Sequence, residues 1–362
     1  MGLPSAGNHY TCREVYEEGA DLLKDLDDGR LDARLLLTHF CGIETHRLLA
    51  DPAYPVVATD REAFLDGVRR RAAREPLAYI TGEQSFMGLP FVVSPDVLIP
   101  EQDTENLVEE AMRYLDDGSR ILDLCTGSGC ILLSLLHYSN GCIGIGTDLS
   151  PGALRIAQTN ARALGLEERV KWLEGDLFEA LKRGGSLPAP EPGEALLRYG
   201  LEGIVSDGMG ESAAAGTEEP ELAVSGPEEP AAACAAGFPA ADVPGTADLS
   251  NMKFDLIVSN PPYIPSSVIE TLAPEVRCSE PRMALDGGED GLDFYRRIIS
   301  QAPDHLVIGG RLMLEIGYDQ GAAVSALLEE AGYYGIEIIR DYGGNDRVAT
   351  ATRSMSRLSG KS

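Results

Sequence analysis

The stretch that decides the fold is RILDLCTGSGC, Arg120 to Cys130. A strand-like run, ILDL, meets a turn carrying two glycines, and helix-forming residues follow. Glycines there let the backbone approach a ligand closely, and the helix that follows offers free N–H groups at its start. The same rhythm then repeats. CIGIGTD leads to a helix opening at Ser150-Pro151, and VKWLEGD, FDLIVSN, RLMLEIG, GIEIIRD and RVATATR come after it. Strands alternating with helices predict an α/β fold, a mostly parallel sheet covered on both faces. The last two runs lie close together, which predicts an antiparallel hairpin at the sheet edge.

Upstream the texture differs. Residues 11–74 read as helices, with Val15, Leu22, Leu23 and Leu26, then Leu31, Leu35, Leu36 and Phe40, at helical spacing. The basic run RRRAAR, Arg69 to Arg74, closes this part, and bases near a helix C-terminus favour its dipole, so a solvated face is expected. Two β-rich runs then flank Met87-Gly88-Leu89-Pro90 and predict a hairpin between Pro76 and Pro100. Helix signals return at Thr104. Residues from about 182 to 251 break the rhythm, being rich in Ala, Gly, Pro and Glu; they read as a mostly disordered insertion.

Composition narrows the classes. A chain of 362 residues with 44% hydrophobic and 24% charged residues is that of a soluble globular protein with a sizeable core. No run is long enough to span a bilayer, and the start MGLPSAGNHY is expected to be neither a signal peptide nor an anchor. Seven cysteines without a CxxC pair suggest reduced thiols in a cytoplasm, with no metal site and no disulfide framework. The net charge of −28 argues against stable nucleic-acid binding.

The glycine turn runs Asp123-Leu-Cys125-Thr126-Gly127-Ser128-Gly129. It meets neither the GxGxxG fingerprint, because Leu132 stands at the third glycine position, nor a P-loop. The second strand ends at Asp148, where an acid can accept from both hydroxyls of a ribose. The third ends in Gly175-Asp176-Leu177, suited to the surroundings of an adenine ring. A ribose, an adenine and no phosphate loop point to S-adenosylmethionine as methyl donor.

The fourth strand ends in VSNPPYIP, Val258 to Pro265. Prolines cannot donate to a ladder, so the strand stops there. Asn260 offers a side-chain carbonyl and Pro261 a backbone carbonyl, while Pro262 stiffens the turn and Tyr263 supplies a flat face. Two fixed acceptors and a stacking surface suit a planar NH2 group conjugated to a π system. Such a nitrogen is a poor nucleophile, and positioning plus stabilisation of its developing positive charge is the catalysis it needs. Asn260, Pro261 and Tyr263 are the candidate catalytic residues.

With these motifs in view the chain resembles the HemK/PrmC family, the N5-glutamine methyltransferases of peptide chain release factors. The resemblance runs through REPLAYITGEQSFMGLPFVVSPDVLIP, DTENLVE, LDLCTGSGCI, GTDLSPGALRIAQTNARALGL, SNPPYIP, EPRMALDGGEDGLDFYRRI and EIGYDQG. It implies a seven-stranded class I, Rossmann-like methyltransferase domain over 101–362, preceded by a helical substrate-recognition domain (1–75) and a β-hairpin linker (76–100). It also implies cofactor contacts at Cys125 to Gly129, Asp148, Leu177 and Asn260. Substrate contacts would fall at Asn260, Pro261, Pro262 and Tyr263, with Phe86 of the linker helping. The implied reaction methylates the glutamine of a Gly-Gly-Gln motif in a release factor, giving N5-methylglutamine and S-adenosylhomocysteine, in a cytoplasmic monomer.

Three features depart from that pattern. Cys125 stands where the family usually has glycine, Glu101-Gln102 replaces Arg-Pro, and the acidic insertion is extra. NPPY is shared with DNA amino-methyltransferases, so adenine-N6 methylation of DNA or RNA is the rival chemistry. A cofactor-binding homologue without catalysis is the rival of another class, and Cys125 and Glu101 are its evidence.

Overall fold

In a computed structural model of the chain, residues 10–183 and 249–355 are described. The acid-rich segment expected to be disordered lies, apart from its ends, outside the described residues. The chain divides into two compact units, Met1–Pro100 with Pro262–Phe294, and Glu101–Pro261 with Tyr295–Ser362.

In the first unit, β1 (Tyr10–Thr11) pairs antiparallel with β2 (Pro55–Val56). Thr11 then caps α1 (Cys12–Leu22). Its hydroxyl accepts from the Glu14 N–H while the Glu14 carboxylate accepts from the Thr11 N–H. Helices α2 (Gly29–Cys41), α3 (Thr45–Ala50) and α4 (Ala58–Ala72) follow, and Gly42 at φ 62° stops α2. Val15, Leu36, Leu37, Phe64 and Val68 are buried at the centre. Leu31 and Leu35, whose spacing predicts α2, are each 45% exposed. The inward face runs instead through Ala33, Leu36 and Leu37, and it carries Asp32. That acid is buried because Arg71 meets it at 2.7 Å.

The basic run at the end of α4 is therefore not simply a solvated face. Arg70 reaches Glu75 at 2.5 Å, while Arg71 and Arg74 share Glu275 at 3.5 and 3.1 Å. Tyr79, Ile80 and Thr81, β-forming by type, lie in a short helix α5 (Leu77–Thr81) that Gly82 closes at φ 75°. The expected hairpin is then β3 (Glu83–Phe86) against β4 (Leu89–Val92), with Phe86 opposite Leu89. Its turn is only Met87-Gly88, both left-handed, which matches the twist of two-residue hairpins.

The second unit opens with α6 (Gln102–Met112). The seven expected strands are all present: β5 (Arg120–Leu124), β6 (Ile143–Asp148), β7 (Val170–Glu174), β8 (Phe254–Ser259), β9 (Leu306–Glu315), β10 (Tyr334–Arg340) and β11 (Asp346–Thr352). They form one sheet in the order β10-β11-β9-β8-β5-β6-β7. All are parallel except β11, antiparallel to both neighbours, so the terminal hairpin sits at the edge as expected. Helix α7 (Cys130–Tyr138) follows β5, and α8 (Pro151–Ala163) follows β6. Glycines in β6 make room for their neighbours: a Cβ on Gly144 would lie 2.4 Å from Leu132, and one on Gly146 would lie 2.3 Å from Trp172. The chain leaves β5 toward β6 and β7, then returns to the other side of β5 as β8. That reversal makes the switch point where such sheets bind ligands.

Arg71→Ala strands Asp32 as a buried charge without its partner. It should destabilise the protein by about 3 kcal/mol, read as a lower denaturant midpoint. An unchanged midpoint would mean the pair contributes nothing to the helical unit.

Candidate active site

The loop leaving β5 is wound through left-handed backbone, with φ of 58° at Cys125, 56° at Gly127 and 80° at Gly129. Cysteine thus adopts the conformation its substitution for glycine made doubtful, at a cost of about 1 kcal/mol. The turn still closes. Thr126 N–H donates to the Thr147 carbonyl at 3.0 Å, Gly129 N–H to the Thr126 carbonyl at 2.8 Å, and Gly127 N–H to Asp148 Oδ2 at 2.9 Å. From α8, Asn160 Nδ2 donates to the Ser128 carbonyl at 2.9 Å. A Cβ on Gly129 would press to 2.9 Å from the Trp172 ring, so that position tolerates only glycine. Burial, with the Asp148 and Asp123 carboxylates nearby, pushes the Cys125 thiol up, so it stays protonated and is no nucleophile.

Three acids surround this loop. Asp148 Oδ1 accepts from Ser150 N–H at 2.9 Å while Oδ2 takes Gly127, which leaves lone pairs on both oxygens. Capping of α8 is done by Ser150, whose hydroxyl accepts from Ala153 N–H, so Asp148 is free of that task. Asp123 is fully buried. Its Oδ2 accepts from the Thr126 hydroxyl at 2.5 Å, and its Oδ1 has no hydrogen-bond partner among the described residues. Burial pushes its carboxyl up to about 7, against the Thr126 hydrogen bond, with Asp148 adding to the rise. Asp176 meets Arg297 at 2.7 Å, and Leu177 next to it is buried at φ 51°. An orphaned buried acceptor, loop N–H groups and an acid at the end of β6 fit a cofactor carrying several N–H and O–H donors.

β8 ends beside β5, with Ser259 level with Leu124 and its hydroxyl donating to the Leu124 carbonyl at 2.6 Å. Asn260 follows, half-buried, and its Nδ2 donates to Thr104 Oγ1 at 3.2 Å. Asn260 and Pro261 belong to the unit that holds the glycine loop, while Pro262, Tyr263 and Phe86 belong to the other. There, Pro262 and Tyr263 are backed by the ALDGG segment. Ile264 N–H donates to the Leu285 carbonyl at 3.0 Å, Gly287 N–H to the Ile264 carbonyl at 2.9 Å, and Ile264 pairs with Asp286. A Cβ on Gly287 would lie 2.7 Å from Tyr263 Cα. Asp286 in turn accepts from the Ser266 hydroxyl and the Gly288 N–H. Phe86 is 1% exposed and packs edge-on against Phe91, with ring centres 6.0 Å apart. Its ring stiffens the hairpin.

Sequence reasoning missed Trp172, Thr104, Asn160 and Gly287. Each acts on a neighbour distant in sequence, and only the single tryptophan and the GG pair carried any local signal. Glu101 sits at the N-cap of α6 without a side-chain cap bond, and its negative charge suits the positive end of that helix. Among the described residues no group of three or more His, Cys, Asp or Glu could hold a metal ion, and no helix is long and apolar enough to cross a membrane.

Residues 14–82 match the family model described as the PrmC N-terminal domain. A release factor glutamine methyltransferase from Geobacter sulfurreducens is 36% identical, across 94% of this chain and 95% of the relative. One from Moorella thermoacetica is 38% identical, across 90% and 91%. The chain belongs to the release factor glutamine methyltransferase family. A solved protein-(glutamine-N5) methyltransferase from Alicyclobacillus acidocaldarius is 25% identical, covering 73% of this chain and 99% of that one, with a TM-score of 0.34. The assignment rests on the sequence relatives. S-adenosylmethionine is the methyl donor.

Two outcomes follow from the strained, buried loop. Cys125→Gly should raise stability by about 0.5–1 kcal/mol by relieving the left-handed cysteine and leave cofactor affinity intact, checked by denaturant melts and calorimetry. A fall in stability would show that the cysteine's packing outweighs its strain. The raised Asp123 makes the native state bind more protons than the unfolded chain, whose aspartates titrate near about 3.9. Its contribution to stability is complete below that value and is lost as pH rises through about 7. Cofactor-free protein should melt lower at pH 8 than at pH 6, and Asp123→Asn should flatten the difference.

Proposed function

We propose that this enzyme transfers a methyl group from S-adenosylmethionine to the side-chain amide of a release-factor glutamine, in a Gly-Gly-Gln motif. The products are N5-methylglutamine and S-adenosylhomocysteine. The observation that carries the reading is the end of β8: a half-buried asparagine whose amide nitrogen is already engaged, followed by prolines that fix the next carbonyl. Asn260 Oδ1 and the Pro261 carbonyl accept the two N–H bonds of the substrate amide, and Tyr263 stacks on its plane. Pro262 keeps the turn stiff, and Phe86 supports the hairpin from within. S-adenosylmethionine, when bound, supplies a methyl group on a positively charged sulfur. The residues Asp123 to Gly129, Asp148, Asp176 and Leu177 would hold it at the switch point, with Asn260 closing the site.

The amide nitrogen loses its conjugation as it attacks, and positive charge grows on it. Two carbonyl oxygens set around that nitrogen stabilise the charge where it develops. Holding the amide in line with the departing sulfur supplies the remainder through orientation. No base has to remove a proton before attack, because the methylated, ammonium-like nitrogen is far more acidic than the amide and gives up its proton to water afterwards, leaving N5-methylglutamine. The shared NPPY geometry no longer favours adenine in a member of this family, and the acid excess of the chain speaks the same way. The closed Cys125 turn and the N-cap placement of Glu101 support a working catalyst. We place it in the cytoplasm as a monomer, where release factors act.

The test is mass spectrometry of a release factor incubated with the protein and S-adenosylmethionine. One added methyl on the glutamine of Gly-Gly-Gln is expected, with Asn260→Ala lowering turnover on the order of 10²-fold. A wild-type rate in Asn260→Ala would remove the proposed chemistry.

A further inference from the structure

A carboxamide has two unlike ends, an oxygen that only accepts and a nitrogen that only donates. Asn260 can receive a substrate NH2 only with its oxygen turned toward it. Rotated by half a turn it would point a donor at a donor, and the site would repel the group it has to hold. The substrate NH2, a pure donor, selects the oxygen, and the amide has to be held in place to offer it. The backbone of Asn260 is set by β8, through the Ser259 hydroxyl on the Leu124 carbonyl. The backbone does not set the amide.

The amide is set from α6. Asn260 Nδ2 donates to Thr104 Oγ1 at 3.2 Å, and Thr104 is 3% exposed, so water does not compete for that oxygen. Thr104 stands on a rigid mount. Its own N–H is tied to the Glu101 carbonyl at 3.2 Å, and Leu107, Val108 and Ala111 of the same helix are fully buried. Asp103 beside it pairs with Arg347 of β11 at 2.9 Å, which fastens the first turn of α6 to the sheet. The DTENLVE stretch, to which no role has been given so far, carries this oxygen.

We propose that Thr104 is a positioning residue for methyl transfer: its buried hydroxyl oxygen accepts from the Asn260 nitrogen and so holds the Asn260 amide in the plane in which Oδ1 faces the substrate amide. This rests on the reading of Asn260 as an acceptor given above. Thr104 touches neither substrate nor cofactor in this role. Its loss frees the amide to leave that plane, which lowers the fraction of enzyme with Oδ1 in position and leaves binding of the cofactor alone.

The experiment is steady-state methylation of a release factor by the full chain, with S-adenosylhomocysteine affinity and melting temperature measured on every variant. Thr104→Val, nearly the same shape without the hydroxyl, should lower kcat about tenfold or more with KM and cofactor affinity unchanged. Thr104→Ser, which keeps the oxygen, should stay within about threefold of wild type. In an Asn260→Ala background there is no amide to orient, so adding Thr104→Val should cost nothing further. If Thr104→Val does not fold, Thr104→Ala takes its place with the same expectations. A wild-type kcat for the variant lacking the hydroxyl overturns the proposal. So does an equal loss in the Asn260→Ala background, which would mark Thr104 as a packing residue. If wild type itself transfers no methyl while binding S-adenosylhomocysteine, the reading of Asn260 fails first, and the two failures are told apart.

Discussion

Leu124, Thr147 and Ser259 stand level across three parallel strands, and the Ser259 hydroxyl locks β8 to β5 through the Leu124 carbonyl at 2.6 Å. Everything chemical in the second unit depends on that shared level. Because the strands end together, the glycine loop, Asp148 and Asn260 emerge at one edge of the sheet. A slip of one residue in either pairing would turn alternate side chains to the opposite face. The glycines of β6 protect the register by letting Leu132 and Trp172 seat closely against the sheet.

In the helical unit the buried acid Asp32 is fully paired, and Glu275 is shared by two arginines. At the sheet edge, Asp123 keeps an oxygen with no described partner, and two residues other than glycine, Cys125 and Leu177, sit in left-handed backbone. Left-handed residues other than glycine also occur in the first unit, at Arg74 and Met87, so this strain is not particular to the sheet edge. The second half of the NPPY motif is handled by backbone alone, with Gly287 pressed against Tyr263 and Ile264 bonded on both sides.

Much of this was legible in the sequence because it is local. Each strand of the sheet is an apolar run ending in a turn residue, so period and punctuation located all seven. Asp148 and Asn260 could be named because each directly follows such a run. What could not be read depends on pairing across the fold. Leu31 and Leu35 stand at helical spacing in the sequence, yet α2 turns them outward and buries Asp32 against Arg71. Tyr79 to Thr81 are β-forming by type, yet Gly82 ends them as a helical turn. Thr104 and Asn260 are separated by 156 residues, and no spacing rule links them.

In the proposed chemistry an asparagine oxygen and a proline carbonyl hold the two hydrogens of a glutamine amide. The most direct measurement is a crystal structure with S-adenosylhomocysteine and a peptide containing Gly-Gly-Gln. The glutamine nitrogen is expected at about 3 Å from both Asn260 Oδ1 and the Pro261 carbonyl, with Asn260 Nδ2 still on Thr104. A glutamine amide bound elsewhere, or met by the nitrogen of Asn260, would contradict it.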